Sequence, residues 1–116
     1  MKWGIQLFIE LELVEGQASQ FEAAAREVIA CAVHHDVKLR YDFYRDPANP
    51  SVIYAIEAHP DAASLQRHFD AALPLLQKAW GYARPVKTLI LGDVPDALRS
   101  MMESNGATVV PAWIGN

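Results

Sequence analysis

Apolar and polar positions alternate from Ile5 to Leu13. Ile5, Leu7, Ile9, Leu11 and Leu13 fall on one side and Gln6, Phe8, Glu10 and Glu12 on the other, which predicts a strand with one buried face. After Glu15 and Gly16 the period changes. Ser19 and Glu22 have the spacing of a capping box, and Phe21, Ala24, Ala25, Val28, Ile29 and Ala32 recur at helical spacing, predicting a helix with that stripe inward. Alternation returns with Val37, Leu39, Tyr41 and Phe43 against Lys38, Arg40, Asp42 and Tyr44, a second strand ended by the turn residues from Asp46 to Pro50. Ser51 to Ala58 is expected as its hairpin partner.

Asp61, following Pro60, is expected to cap a second helix with Ala62, Leu65, Phe69, Ala72 and Leu73 inward. Pro74 is expected to break or kink it before Leu75 to Trp80. Pro85 to Leu91 predicts the fourth strand. The order β-α-β-β-α-β is the split unit of the ferredoxin-like α+β fold, with both helices on one face of the sheet. Beyond Gly92 the sequence predicts a short helix through about Ser104, a stop at Asn105 and Gly106, and a small strand at Thr108 to Val110. Residues 1–116 thus read as a single domain, a ferredoxin-like core over 1–92 and a C-terminal helix-strand extension over 93–116.

On this phase the bare sheet face carries Glu10, Glu12, Lys38, Arg40 and Asp42 with Phe8 and Tyr44. It is either a solvated face or one covered by a second sheet, with its charges paired across the contact. Tyr41 and Tyr54 are placed on the apolar side of their strands. Glu57, opposite in phase to Tyr54, falls on the bare side, where Arg40 or Lys87 would pair it and its role would be structural.

Composition narrows the function classes. At 116 residues the chain buries roughly two thirds of its extended surface on folding, enough for a core without metal or disulfide staples. The single Cys31 permits no internal disulfide. It sits in an alanine-rich stretch of the first helix and reads as a small packed residue. The net charge is −4 and the basic residues are scattered, so no nucleic-acid partner is expected. No apolar run approaches the ~20 residues needed to span a bilayer, and the N-terminus lacks a basic start with a following apolar stretch. A soluble, cytoplasmic protein without a membrane partner is expected. No Cys pair, His-Glu-x-x-His motif, carboxylate cluster or glycine-rich phosphate loop is present, so neither a metal nor another cofactor is expected.

His68 lies about 60° from Leu65 and about 100° from Phe69 around its helix, where it can reach a space between helix and sheet. It is either a half-buried, carbonyl-bonded side chain or a base, since an imidazole titrates near neutral pH. His34 and His35 end the first helix, where a cation complements the dipole. His59 precedes a helix start and has the same kind of plain explanation.

At Tyr41 to Pro50, Val52 to Glu57 and Asp61 to Phe69 the sequence resembles the antibiotic biosynthesis monooxygenase superfamily. The resemblance spans about residues 5 to 91 and includes Gly16 and Phe21. It implies ferredoxin-like protomers joined back to back as a homodimeric α+β barrel, which would cover the charged face. Tyr41, Glu57 and His68 are the positions that match. Many members carry Trp two residues after the glutamate, where this chain has His59. The haem-degrading branch uses a late ligand His in the second helical segment, and residues 73 to 80 contain none, which disfavours haem.

The resemblance implies cofactor-independent monooxygenation of a small aromatic quinol or anthrone-like substrate with dioxygen. His68 would be catalytic, with Tyr41, Tyr54 and Trp80 as substrate-binding walls. The alternatives are a small-molecule isomerase working by proton transfer through the same His68, and a non-catalytic ligand-binding or stress-response dimer.

Overall fold

The computed structural model describes residues 3–36 and 39–116. Its elements follow the expected order: β1 (Ile5–Leu13), α1 (Ala18–His35), β2 (Arg40–Arg45), β3 (Val52–His59), α2 (Ala62–Trp80), β4 (Ala83–Gly92), α3 (Asp96–Ser104) and β5 (Thr108–Val110). They form one five-stranded sheet in the order β2-β3-β1-β4-β5. The first four strands pair antiparallel, and β5 joins β4 in parallel. The proposed start of β2 at Val37 and Lys38, and Lys38 as a member of the charged face, lie outside the described residues.

Two local expectations are corrected. Helix α1 begins at Ala18 after Gln17, with no side-chain cap, so Ser19 lies inside the first turn instead of capping it. Of the break or kink expected at Pro74, the break does not occur: helix α2 runs through the proline without ending. The missing N–H and ring clash cost about 3 kcal/mol, but Leu65, Ala72, Leu76 and Ala79 are buried on both sides of the proline, and burial of that stripe at a few kcal/mol holds the helix together. Asp61 caps α2 as expected, accepting the Ser64 N–H at Oδ1 over 2.8 Å.

The core lies between the sheet and α1 and α2. Leu11, Ile53 and Ala83 pack against Phe21, Ala24 and Ala79 at one end. At the other, Ile5, Leu7, Leu65 and Ile90 pack against Leu98 and Met102, so α3 completes the layer. Gly92, at φ +132, ends β4 where an added Cβ would collide with the Gly4 carbonyl oxygen. A side chain there would be both strained and blocked. A bulge between Glu10 and Leu11 shifts the β1–β4 register. Pro85 sits there, beyond the reach of β5, where its missing N–H breaks no ladder bond on the outer side.

The bare face carries Phe8 stacked on Tyr54 with centroids 5.7 Å apart. Arg84 donates to Glu12 over 2.9 Å, and Arg40 pairs with Asp42, so several of its charges find partners within the protomer. Trp113 is 91% exposed and Ile114 76% exposed: the last residues do not pack on their own protomer. No helix among the described residues is long and apolar enough to cross a membrane.

Candidate functional site

Register decides which side chains meet between helix and sheet. Tyr41 on β2 and Leu7 on β1 flank Glu57 on β3, and all three are buried with the helix-facing residues Ile53 and Ala55. Glu57 therefore points into the protein, opposite to the expected bare side. Tyr54, of the other parity, lies with Phe8 on the bare face and does not share the site. The phase of β3 is weakly marked because both parities begin apolar: Val52, Tyr54 and Ile56 alternate with Ile53 and Ala55, and only Glu57 and His59 make the inward parity polar.

The Asp61 cap fixes the first turn of α2, and Ser64 and His68, four residues apart, share its inward face. Both are buried, as are Glu57 and His59. These groups form a continuous polar chain. Asp36, at the end of α1, accepts the Ser64 hydroxyl at 2.8 Å. Ser64 Oγ lies 2.9 Å from His59 Nδ1, and His59 Nε2 lies 2.6 Å from Glu57 Oε1. His68 Nε2 stands 3.5 Å from the same carboxylate oxygen. His59 and Asp36 are functional candidates that sequence reasoning passed over. Their signal was present in part: Glu57 and His59 share a strand parity, so reading Glu57 inward would have brought His59 with it.

His68 differs from His59 in one respect. Although only 2% exposed, neither of its ring nitrogens completes a hydrogen bond among the described residues. A buried polar group without a partner is costly, and this one faces a cavity of about 600 Å³. Burial lowers the His68 pKa from its ordinary value, against the opposing pull of the Glu57 carboxylate, with His59 and His35 lowering it further. The ring is therefore neutral at pH 7 and has a nitrogen free to accept a proton. Burial, reinforced by Glu57, raises the Tyr41 pKa well above the ordinary phenol range, which keeps its hydroxyl protonated.

The cavity is walled by Tyr41, Phe69 and Trp80 as well as by Met101 and Met102 of α3 and by Asn105 just after it. Of the expected binding residues, Tyr41 and Trp80 meet His68 around this space and Tyr54 does not. No Lys or Arg stands among its described lining residues, so an anionic ligand group would face Glu57 without a compensating cation. No group of three or more His, Cys, Asp or Glu placed to hold a metal ion occurs among the described residues.

No family model and no curated protein matches the sequence. Solved structures do. MupZ from Pseudomonas fluorescens superposes with a TM-score of 0.83 at 18% identity, over 97% of this chain and 92% of its own, a likeness that reaches into the α3–β5 extension. SnoaB from Streptomyces nogalater, described as a cofactor-independent oxygenase, gives a TM-score of 0.65 at 16% identity over 75% of this chain and 90% of its own. A candidate antibiotic biosynthesis monooxygenase from Nitrosomonas europaea gives 0.66 at 15% identity over 78% of this chain and 99% of its own. At such identities the likeness is one of architecture. The chain has the ferredoxin-like fold seen in antibiotic biosynthesis monooxygenase-like proteins.

Proposed function

We propose that the cavity between α2 and the sheet binds a neutral, largely apolar aromatic substrate and that the protein oxygenates it with dioxygen and no cofactor, as a member of the antibiotic biosynthesis monooxygenase superfamily. The observation that carries this reading is His68: a buried, neutral imidazole with unpartnered nitrogens facing an apolar cavity. Taking the proton of a quinol or anthrone gives an electron-rich anion. That anion can pass one electron to dioxygen, and the two radicals can combine to a peroxide. Loss of water from the peroxide leaves one oxygen atom as a new carbonyl and the other in the water. The protein's part is to bind, deprotonate and keep bulk water away. Tyr41 and Trp80 would contact the ring system. The description of SnoaB as a cofactor-independent oxygenase agrees with this chemistry.

We take the protein to be a cytoplasmic homodimer, its bare sheet face against a second copy. The Phe8–Tyr54 stack on that face supports this, since such aromatic patches commonly mark contact surfaces.

A second reading, isomerisation of a small carbonyl compound by proton transfer, is favoured by a separate observation. The protonated Tyr41 hydroxyl and the neutral His68 base line one cavity, which is the pairing an enolisation requires. Oxygen uptake with a panel of anthrones and quinols separates the two. Consumption that fails in His68→Ala supports oxygenation. Deuterium exchange at a substrate carbon without oxygen supports isomerisation, and neither activity would leave a binding protein.

A further inference from the structure

Two imidazoles face one carboxylate oxygen. Glu57 Oε1 lies 2.6 Å from His59 Nε2 and 3.5 Å from His68 Nε2, and the ring centroids are 5.7 Å apart. A positive charge on either ring opposes a charge on the other, so the pair holds one readily and two with difficulty. What stands behind each ring decides where that charge goes.

Behind His59 is Ser64, whose Oγ lies 2.8 Å from Asp36 Oδ2 and 2.9 Å from His59 Nδ1. A serine hydroxyl has one hydrogen and a carboxylate only accepts. The hydroxyl hydrogen therefore goes to Asp36, and the contact with His59 requires Nδ1–H as donor. The bond to Glu57 takes Nε2–H. Both ring nitrogens of His59 then carry hydrogen. Behind His68 there is no such acceptor among the described residues.

We infer that Asp36, Ser64 and His59 act together as positioning residues that make His59 the charged partner of Glu57 and so reserve His68 as a neutral base. The Glu57 carboxylate has its balancing partner in His59, 2.6 Å away, and the charge on His59 discourages protonation of His68 by anything but the bound substrate. The other groups facing His68 are Tyr41 from β2 and His35 from the end of α1. Arg67, on α2 itself, stands 3.6 Å from Asp36. The proton that moves in catalysis passes from substrate to His68, while His59 keeps its own. This inference rests on the reading of His68 as the base.

Nitrogen-15 NMR of the histidine-labelled full chain tests it without a substrate. At pH 7, His59 is expected to show two protonated ring nitrogens and His68 one bare nitrogen. Ser64→Ala removes the acceptor behind Nδ1, so the charge moves toward His68 and its titration midpoint rises by about one pH unit. His59→Gln, which donates to Glu57 without charge, has the same effect, and Ser64→Thr restores the original value. The acid limb of any activity profile moves up with the midpoint. A bare nitrogen on His59 at pH 7 overturns the inference, as does a His68 midpoint that stays or falls in both variants. Should a variant not fold, the spectrum of the unaltered protein decides alone. Full turnover in His68→Ala would instead remove the base while leaving the His59 spectrum as it is.

Discussion

The Tyr41 ring stands edge-on to the His68 imidazole, with centroids 5.3 Å apart. Both side chains adjoin Glu57, so the phenol has a packing role and a polar role that one substitution can separate. Tyr41→Phe keeps the ring and removes the hydroxyl. It is expected to change stability by about 1 kcal/mol or less and to lower turnover by roughly tenfold, the size of one lost hydrogen bond in a transition state. Thermal melts with kcat on the same preparation check this; a large fall in melting temperature with unchanged kcat would make Tyr41 a packing residue only.

His68→Ala is expected to lower turnover by about 10²- to 10⁴-fold with the fold retained. In the unaltered protein the rate should rise with pH through a midpoint below the usual histidine value and stay level above it, because the neutral ring is the base. Stability follows the same sign. Between the folded and unfolded pKa values the unfolded chain binds the extra proton, so stability increases with pH across that window. It is complete above the unfolded value of about 6.5 and is lost as the pH falls toward the lowered folded value. Melting temperatures from pH 7 to pH 5 should show the loss, and the slope should flatten in His68→Ala.

The extension offers a graded test. Leu98 and Met102 are buried, whereas Trp113 is 91% exposed. Deleting residues 111–116 is expected to alter protomer stability by less than about 0.5 kcal/mol. Deleting 107–116 also removes β5 and the packing of Val109 on the Ile5 and Ile90 cluster, a loss of about 2 kcal/mol, or on the order of 10 °C in melting temperature. Equal melting temperatures for the two truncations would mean that β5 contributes little.

Tyr54→Asp places a carboxylate on the bare face beside Phe8 and opposite Glu10. If a second sheet covers this face, the added charge should separate the copies, and light scattering at micromolar concentration should fall from the dimer to the monomer mass. An unaltered monomer mass in both proteins would reject the barrel assembly.

The element order was legible because β1, β2 and the helices each have one clearly apolar side. Strand β3 was not, since it lies between β1 and β2 and is apolar on both parities. Its inward positions include Glu57 and His59, polar residues that a burial rule sends outward. His68 and Tyr41 could be placed from period alone. Their connection to Asp36 could not, because it depends on α1 ending beside the first turn of α2, a tertiary contact with no local signal. The persistence of α2 through Pro74 has the same origin: packing on both sides outweighs a local preference.

The central strand of the sheet has a further consequence for how the molecule is made. β1 leaves the ribosome before every strand it pairs with, and its two neighbours are β3 and β4, the latter joining Ile5 to Gly92. The middle of the sheet therefore stays open along one side until most of the chain has been synthesised, and pairing across such a separation is slow. The cavity is completed later still, because Met101, Met102 and Asn105 arrive after β4. A nascent chain halted before α3 would have the strands and helices that carry His68, Glu57 and His59, yet lack the wall that Met101 and Met102 add to the space beside them.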